Sequence, residues 1–310
     1  MTVFHVLVNP SSGGGEAARK REVLQRVFTE CGRSCEMVPV PTPRGLEAAS
    51  EAAARVGAAS GGVVVAVGGG GTLNTVAQAA LRHGVPLGIV PQGTFNYFGR
   101  VHGVSRELEQ AARALVHATP EPVQVGLVNG RVFLVNASLG LYPQLLQDRE
   151  AFKKQFGRHQ WVALLSGLVT LFKWRHQLQV EIEADGEVRR LRTPTLFVGN
   201  NRLQLERLGL PPQVVGRVGE GRLAAVVTRP IGTRAMLWLL LRGAFGRLGE
   251  AEDVESFDFR RLTVRVRGVR RVKVAADGEV GSMTAPIRFE VSARPLLLMG
   301  PPAQDRVAVE

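Results

Sequence analysis

The first third of the chain alternates short apolar runs with longer stretches in which apolar and polar residues are mixed. Val63–Val67 is an unbroken run of valine and alanine, which is typical of a strand buried on both faces of a parallel sheet. Similar runs predict strands at Val3–Val8, Cys35–Val40 and Leu87–Val90. Helices are predicted at Glu16–Thr29, Leu46–Val56, Thr72–Leu81 and Ser105–Val116, the last of them capped by Ser105. Residues 1–122 are therefore expected to form an α/β domain with a parallel sheet.

After Pro120 and Pro122 the pattern changes to short strands that are joined by turn dipeptides. Two hairpins are predicted, one joining Val123–Val128 to Val132–Ala137 through Asn129-Gly130, the other joining Leu178–Ile182 to Arg189–Leu191 through Asp185-Gly186. Further strands are predicted at Thr195–Val198, Leu223–Val227, Leu262–Val266, Val269–Ala275 and Ile287–Val291. Residues 123–310 are thus expected to form a β-rich, sandwich-like second domain. An alternative left open is that its final strands return to the first domain.

Two apolar helices with basic ends interrupt these strands, at Phe152–His176 and Thr233–Leu248. The longest apolar stretch, Trp161–Phe172, has only twelve residues, whereas a spanning helix needs about 20. Any membrane contact is therefore expected to be peripheral, with arginines among anionic head groups. The alternative is that both helices pack against the sheets.

Composition adds a preference for anionic partners. The 310 residues carry a formal net charge of +12, mostly from arginine, and the pI is near 10.9. A compositional bias explains this equally well, and no nucleic-acid-binding module is recognisable, so no nucleic-acid partner is expected. Cys31 and Cys35 have no metal-ligand spacing, which favours reduced thiols in a cytoplasmic protein.

Four consecutive glycines, Gly68–Gly71, separate the central predicted strand from the helix that begins at Thr72. Glycines leave main-chain amides accessible, and a helix N-terminus carries a partial positive charge, so this arrangement is suited to an anion such as a phosphate. A second loop, Pro91–Arg100, follows the neighbouring strand. A glycine run alone also fits an ordinary turn, but two adjacent loops favour a phosphate site.

Three sequence motifs give the chain a family resemblance. GGGGTLN at Gly68–Asn74, GTFN at Gly93–Asn96 and NPSSG at Asn9–Gly13 resemble, in order and separation, three loops of the diacylglycerol kinase catalytic domain family, which includes bacterial lipid kinases and sphingosine and ceramide kinases. Two positions depart from the pattern, because Gly70 stands where the family has an aspartate and Tyr97 stands where many members have one.

The resemblance implies a Rossmann-like fold of the NAD kinase and diacylglycerol kinase type, and it implies that ATP and Mg²⁺ take part in the reaction. Thr42, which follows the second predicted strand, is added to the candidate nucleotide contacts because it lies at the same edge of the sheet. The candidate residues are Asn9, Pro10, Ser11, Ser12, Gly13, Thr42, Gly68, Gly69, Gly70, Gly71, Thr72, Leu73, Asn74, Gly93, Thr94 and Asn96.

The candidate catalytic residues are Asp277 and Glu279 in a DGE triplet, with Glu279 at the place of the base proposed for bacterial relatives. Such a base would accept the proton of the attacking hydroxyl group. The same triplet occurs at Asp185–Glu187, where a hairpin turn explains it. The later copy is preferred because the residues after it resemble the family's closing strands.

Bacterial relatives also hold a structural magnesium near a D-G-x-L segment. The matching stretch here is Gly219–Leu223, in which Glu220 replaces the aspartate, and the carbonyl groups of Arg217 and Arg222 are the implied further ligands. Mg²⁺ tolerates displaced ligands poorly, so this site is expected to be altered or empty.

The leading hypothesis is an ATP-dependent lipid kinase that phosphorylates a hydroxyl group of a diacylglycerol-like or sphingoid lipid. Its expected partners are ATP, the lipid and an anionic membrane, which it would meet at the inner, cytoplasmic face; a homodimer is left open. The first alternative is a catalytically weak nucleotide or lipid sensor, which Gly70 and Tyr97 motivate. The second is an NAD kinase, whose family shares the glycine loop.

Overall fold

The computed structural model describes residues 2–10, 16–93, 96–141, 143, 177–229 and 251–308. The two apolar helices predicted at Phe152–His176 and Thr233–Leu248 lie outside the described residues. The chain divides into two compact units. The first comprises Met1–Val125 and Ser292–Glu310, and the second comprises Gly126–Val291.

The first unit is built on one sheet with helices between its strands. Numbered along the chain, its strands are β1 (Val3–Val8), β2 (Ser34–Val38), β3 (Val63–Gly68), β4 (Leu87–Pro91), β5 (Thr119–Val123) and β18 (Leu296–Gly300), in the spatial order β2-β1-β3-β4-β18-β5. Its helices are α1 (Ala17–Glu30), α2 (Leu46–Ser60), α3 (Gly70–His83), α4 (Tyr97–Val101) and α5 (Leu108–Val116). All pairs are parallel except β5 with β18, and β3 is buried along its whole length.

The second unit is a sandwich of two six-stranded antiparallel sheets. Its strands are β6 (Gly126–Val128), β7 (Arg131–Phe133), β8 (Asn136–Gly140), β9 (Leu178–Ala184), β10 (Glu187–Thr193), β11 (Thr195–Gly199), β12 (Leu223–Thr228), β13 (Val254–Phe259), β14 (Arg261–Val266), β15 (Arg271–Ala276), β16 (Glu279–Thr284) and β17 (Ile287–Val291). The sheet orders are β10-β9-β14-β17-β6-β7 and β13-β12-β11-β8-β15-β16. Both sheets contribute to one core, in which Phe133, Phe259 and Phe289 are fully buried. The predicted order, a parallel α/β region followed by a β-rich region, is confirmed.

A second, smaller core lies between the short helices α6 (Arg202–Arg207) and α7 (Pro212–Val215) and strand β12. Leu205, Val215 and Val218 are buried there against Ala224 and Val226 of the strand. The smaller core therefore holds the segment between α7 and β12 in place.

Both predicted hairpin turns are confirmed, and a third has the same form. Asn129, Asp185 and Asp277 each have φ 47°, and each is followed by a glycine with positive φ. Asparagine and aspartate tolerate this left-handed conformation better than other non-glycine residues do. The dipeptides therefore allow two-residue connections between the paired strands.

Several sequence expectations about element boundaries were wrong. The predicted strand Val123–Val128 is divided, because β5 ends at Val123 in the first unit and β6 begins at Gly126 in the second. The predicted strand Val132–Ala137 is likewise divided between β7 and β8, which belong to different sheets. In both places an apolar run continues while the chain passes between sheets, so the hydrophobic pattern carries no mark of the change.

The helix predicted to begin at Ser105 begins at Leu108 instead. The Ser105 hydroxyl oxygen accepts a hydrogen bond from the Glu107 amide, at 3.1 Å, and the hydroxyl donates to the Gln110 side chain, at 2.8 Å. Ser105 therefore stabilises the turn that precedes α5. Strands β13 and β16 were not predicted at all, since both have many partly exposed positions.

We predict that replacing Gly126 with alanine destabilises the second unit. Gly126 lies opposite Phe133 in the register of β6 and β7, and the buried phenylalanine ring occupies the space that a methyl group would need. Such overpacking costs about 1–3 kcal/mol in the free energy of unfolding, which urea titration measures. The matched control is Gly281→Ala, where the added methyl group would meet only the end of the Arg131 side chain, at 3.6 Å. Equal stability of the two variants would contradict the prediction.

Candidate functional site

Three strands of the first unit end next to one another at the carboxyl edge of the sheet. Strand β1 leads to Asn9, β3 leads to Gly68 and Gly69, and β4 leads to Gly93. The Asn9 amide donates to the Val67 carbonyl group, at 3.2 Å, and the Gln92 amide donates to the Gly68 carbonyl group, at 2.8 Å. Residues from all three predicted loops are thus brought together, as ligand sites in open parallel sheets require.

The glycine loop and the loop after β4 touch through their main chains. A Cβ atom built on Gly93 would lie 3.2 Å from the Gly69 Cα atom and 3.6 Å from the Gly70 nitrogen atom. A side chain at residue 93 would therefore force the two loops apart. Glycine keeps the main-chain amides of both loops beside one another.

Helix α3 begins at Gly70, and the capping residue Gly69 supplies no side-chain hydrogen bond. The first amides of any α-helix lack an intrahelical acceptor, and they lie at the positive end of its dipole. Gly70 itself is exposed at the first helical position, and Gly71 is partly buried. The helix N-terminus is therefore open to an anion at the meeting point of the loops.

The side chains that follow this loop are packed into the protein. Thr72, Leu73 and Asn74 are 3%, 3% and 4% exposed. The Asn9 side-chain amide donates to the Thr72 hydroxyl oxygen, at 2.8 Å, and so connects β1 with α3. These side chains shape the loop, while contact with a ligand falls mainly to the main chain.

Asn96 has an unusual environment. It precedes α4, has φ 41°, and both polar atoms of its side chain are buried without a hydrogen-bond partner among the described residues. Buried amide groups are nearly always paired in folded proteins, so an amide of this kind points to a ligand or to water. Among the candidate residues, Asn96 therefore gives the most direct indication of an additional hydrogen-bond partner.

Helix α4, which follows Asn96, is held by buried aromatic residues and by the C-terminal segment. The Phe98 and His102 rings pack edge to face with centroids 4.8 Å apart, and the Val307 amide donates to the Gly103 carbonyl group, at 2.9 Å. Burial lowers the pKa of His102 to about 4, and the charge of Arg306 adds to this effect. His102 is therefore neutral at pH 7 and packs as an uncharged ring.

The positions of the remaining candidate nucleotide contacts give little indication of a ligand. Thr42 is exposed, and its hydroxyl oxygen accepts from the Gly45 amide, at 3.3 Å, to cap a short 3₁₀ turn after β2. Pro10 is partly buried directly after Asn9. Ser11, Ser12, Gly13 and Thr94 lie outside the described residues.

Sequence analysis did not single out Lys20, which is only 5% exposed in the first turns of α1. It shares the inner face of the helix with Leu24 and Val27, at the helical spacing of core residues. The sequence signal that could have identified it is a lysine at a core-facing position of the hydrophobic pattern of this helix. Buried charges require polar or charged partners, and Lys20 lies near the start of the helix that follows the loop after β1.

Asp277 and Glu279 occupy very different environments in the second unit. The Asp277 carboxylate accepts hydrogen bonds from the amides of Leu134, Val135 and Asn136, at 2.7, 2.8 and 3.0 Å. It thereby holds the connection between β7 and β8. Glu279 is exposed at the start of β16. Glu279 is therefore the carboxylate of this triplet that faces solvent.

The earlier DGE triplet has the same turn and a similar use of its aspartate. Asp185 accepts from the amides of Arg260 and Arg261, at 2.9 and 3.0 Å, and pairs with Arg222, at 2.8 Å. Burial raises the pKa of Asp185, but the amide donors and the Arg222 charge outweigh it, so the pKa falls below its usual range. Turn geometry thus accounts for both copies of the string.

The one carboxylate proposed for a structural magnesium, that of Glu220, is engaged with an arginine side chain. Arg202 donates to the Glu220 carboxylate, at 3.0 Å, while Arg217 and Arg222 both pair with Asp258. Among the described residues no group of three or more histidine, cysteine, aspartate or glutamate side chains is arranged to hold a metal ion. The residues around Glu220 therefore do not fit a divalent cation.

The chain is similar in sequence to known proteins. Residues 3–128 match the family described as the diacylglycerol kinase catalytic domain. The chain is 32% identical over 253 residues to a "Probable lipid kinase YegS-like" of Pseudomonas aeruginosa, covering 77% of this chain and 79% of that protein. It is 33% identical over 190 residues to a diacylglycerol kinase of Bacillus subtilis, covering 59% and 60%.

The fold is also similar to that of solved structures. A crystal structure described as a diacylglycerol kinase from Bacillus anthracis superimposes with a TM-score of 0.68 at 19% identity, covering 97% of both chains. At this identity the likeness concerns the fold. Within the described part of the chain, every helix is too short or too polar to cross a bilayer.

We predict that Asp277→Ala lowers the free energy of unfolding of the second unit by about 3 kcal/mol, because three main-chain amides lose a charged acceptor. The matched control is Glu279→Gln, which changes an exposed carboxylate and should alter stability by less than about 0.5 kcal/mol. Denaturant unfolding of both variants measures the difference. Equal stabilities would show that the three hydrogen bonds contribute nothing net.

Proposed function

The chain belongs to the diacylglycerol kinase catalytic domain family, a family of lipid kinases, and we propose on this basis that it transfers the γ-phosphate of ATP to a hydroxyl group of a lipid. The proposed acceptor is a diacylglycerol-like or sphingoid lipid. The observation that carries the proposal is the meeting of Asn9, Gly68–Gly71 and Gly93 at one sheet edge, beside the buried amide of Asn96.

We propose that the ATP phosphates lie on the main-chain amides of the glycine loop and the N-terminus of α3. Amides fixed in this way bind phosphate oxygens without reorganising, and they favour negative charge. Asn96 would gain through the nucleotide the hydrogen-bond partner that its side chain lacks among the described residues. Lys20, buried on the inner face of α1, would add positive charge near the phosphates.

In the transfer step the lipid hydroxyl oxygen attacks the γ-phosphorus atom, the bond to the bridging oxygen breaks, and ADP leaves. We propose that Glu279 accepts the hydroxyl proton, since its carboxylate is exposed whereas that of Asp277 receives three main-chain hydrogen bonds. Mg²⁺, when bound with ATP, neutralises the charge that develops on the phosphate oxygens. At residue 70 this chain has no side-chain oxygen to orient the ion or its waters.

The proposed setting is the cytoplasmic face of an anionic membrane, which the protein meets peripherally. The net charge of +12 favours such a surface. The lipid, once inserted, would present its hydroxyl group at the head-group level. Membrane contact is part of the proposal, as is the choice of lipid acceptor.

We expect the purified chain, given labelled ATP and Mg²⁺, to label one or more members of a panel containing diacylglycerol, ceramide and sphingosine in anionic vesicles. Glu279→Gln should lower the transfer rate about 100-fold or more, because a positioned base supplies at least this factor, while ATP affinity stays unchanged. The matched control is Glu187→Gln, which alters the exposed glutamate of the other DGE triplet. The proposal fails if no lipid is labelled, and NAD offered as a soluble acceptor tests for an NAD kinase.

A catalytically weak nucleotide or lipid sensor is the second candidate function, and Gly70 is the observation that favours it. The backbone at this position suits an aspartate, because residue 70 is exposed in the first turn of α3 and its φ is not positive. An acidic side chain is also favourable near a helix N-terminus.

Under the lipid kinase proposal, Gly70→Asp should change the lipid transfer rate by less than about threefold. A rise of about 100-fold would instead support the sensor, because a single preorganised charge contributes roughly 3 kcal/mol to the barrier. Gly70→Asn is the matched control, since it adds a side chain of the same size without the charge. Single-turnover rates of all three proteins decide between the two functions.

A further inference from the structure

The segment between α7 and β12 is a tight loop with its own internal hydrogen bonds. The Gly216 amide donates to the Pro212 carbonyl group, at 2.7 Å, and the Glu220 amide donates to the Arg217 carbonyl group, at 3.1 Å. Val218, at the centre of the loop, is fully buried in the smaller core of the second unit. Val218 therefore anchors the loop to that core.

One side chain donates hydrogen bonds to three oxygen atoms of this loop. The Arg202 guanidinium group donates to the Gly216 carbonyl oxygen, at 2.6 Å, to the Val218 carbonyl oxygen, and to the Glu220 carboxylate, at 3.0 Å. Two carbonyl groups and one carboxylate are a typical ligand set for a hard cation. Here a guanidinium group at the start of α6 donates hydrogen bonds to all three oxygen atoms.

The charges around the loop are balanced without a metal ion. Arg202 pairs with Glu220, and Arg217 and Arg222 pair with Asp258. Arg222 also pairs with Asp185. Three arginines thus face three carboxylates, which leaves no excess negative charge to attract a divalent cation. The guanidinium group would also repel a second cation bound to the same oxygens.

We propose that Arg202 is the built-in cation of this loop and that the second unit holds its Gly216–Gly221 segment without any divalent metal. The side chain ties the loop to α6 and so completes the smaller core. Sequence alone indicated an altered magnesium site at Glu220; in the structure the Glu220 carboxylate pairs instead with Arg202, eighteen residues earlier. The proposal concerns folding and metal content, and it does not depend on the proposed kinase activity.

The first test uses the native full-length chain in the absence of nucleotide. After dialysis we expect less than stoichiometric Mg²⁺ or Ca²⁺ by elemental analysis, and the same thermal midpoint in excess EDTA, in MgCl₂ and in CaCl₂. One tightly bound metal ion per chain would overturn the proposal. So would a midpoint that EDTA lowers and added metal restores.

The second test removes the guanidinium group. Arg202→Gln should lower the thermal midpoint of the second unit by about 4 °C or more, because three hydrogen bonds of the loop are lost. The matched control is Arg261→Gln, which removes an exposed arginine whose ion pair with Glu290 spans 3.6 Å, and which should barely change the midpoint. Equal midpoints for the two variants would overturn the proposal, whatever the metal analysis shows.

Discussion

The close approach of two main-chain loops at Gly69 and Gly93 is the constraint on which the candidate site depends. The loops follow neighbouring parallel strands, so the register of β3 and β4 brings their ends to the same height. A Cβ atom at residue 93 would come within 3.2 Å of the Gly69 Cα atom, so glycine at this position lets the two loops approach closely. Asn9 extends this arrangement to a third strand through its hydrogen bond to Thr72. The proposed phosphate site, made of main chain, rests on this arrangement of the sheet.

In the second unit, two aspartates in turns have a comparable structural role. Asp185 and Asp277 adopt the same left-handed conformation, and each uses its carboxylate to hold main-chain amides of another segment. A charged acceptor that receives two or three amide donors stabilises a junction between strands where a ladder of regular hydrogen bonds is interrupted. This structural use separates Asp277 from Glu279, although the two residues are only two positions apart. The exposed glutamate is therefore the residue of this turn that we propose as the base.

Besides Tyr97, the chain departs from its family at two positions where an aspartate is expected, and each departure has a different physical consequence. At Gly70 the carboxylate is absent, so residue 70 offers no side-chain ligand to an ion that accompanies the phosphates. At Glu220 the carboxylate is present, but its partner is a guanidinium group. An arginine supplies positive charge together with directional donors, so it can gather carbonyl oxygens as a metal ion does, with a planar instead of an octahedral arrangement.

The sequence by itself determined the parallel α/β region, the β-rich region, both early hairpins and the three loops, because these depend on hydrophobic periodicity and on residues with special backbone freedom. Such patterns involve residues that are close in sequence, so they can be recognised from the sequence alone. The tertiary structure decided the division of the apolar runs after Val123 and Phe133, the buried position of Lys20, the role of Asp277 and the pairing of Arg202 with the 216–221 loop. Each of these depends on contacts between segments that are distant in sequence. A carboxylate or an arginine looks the same in a sequence whether it faces solvent, a substrate or a row of main-chain amides, and only the packing around it makes the difference.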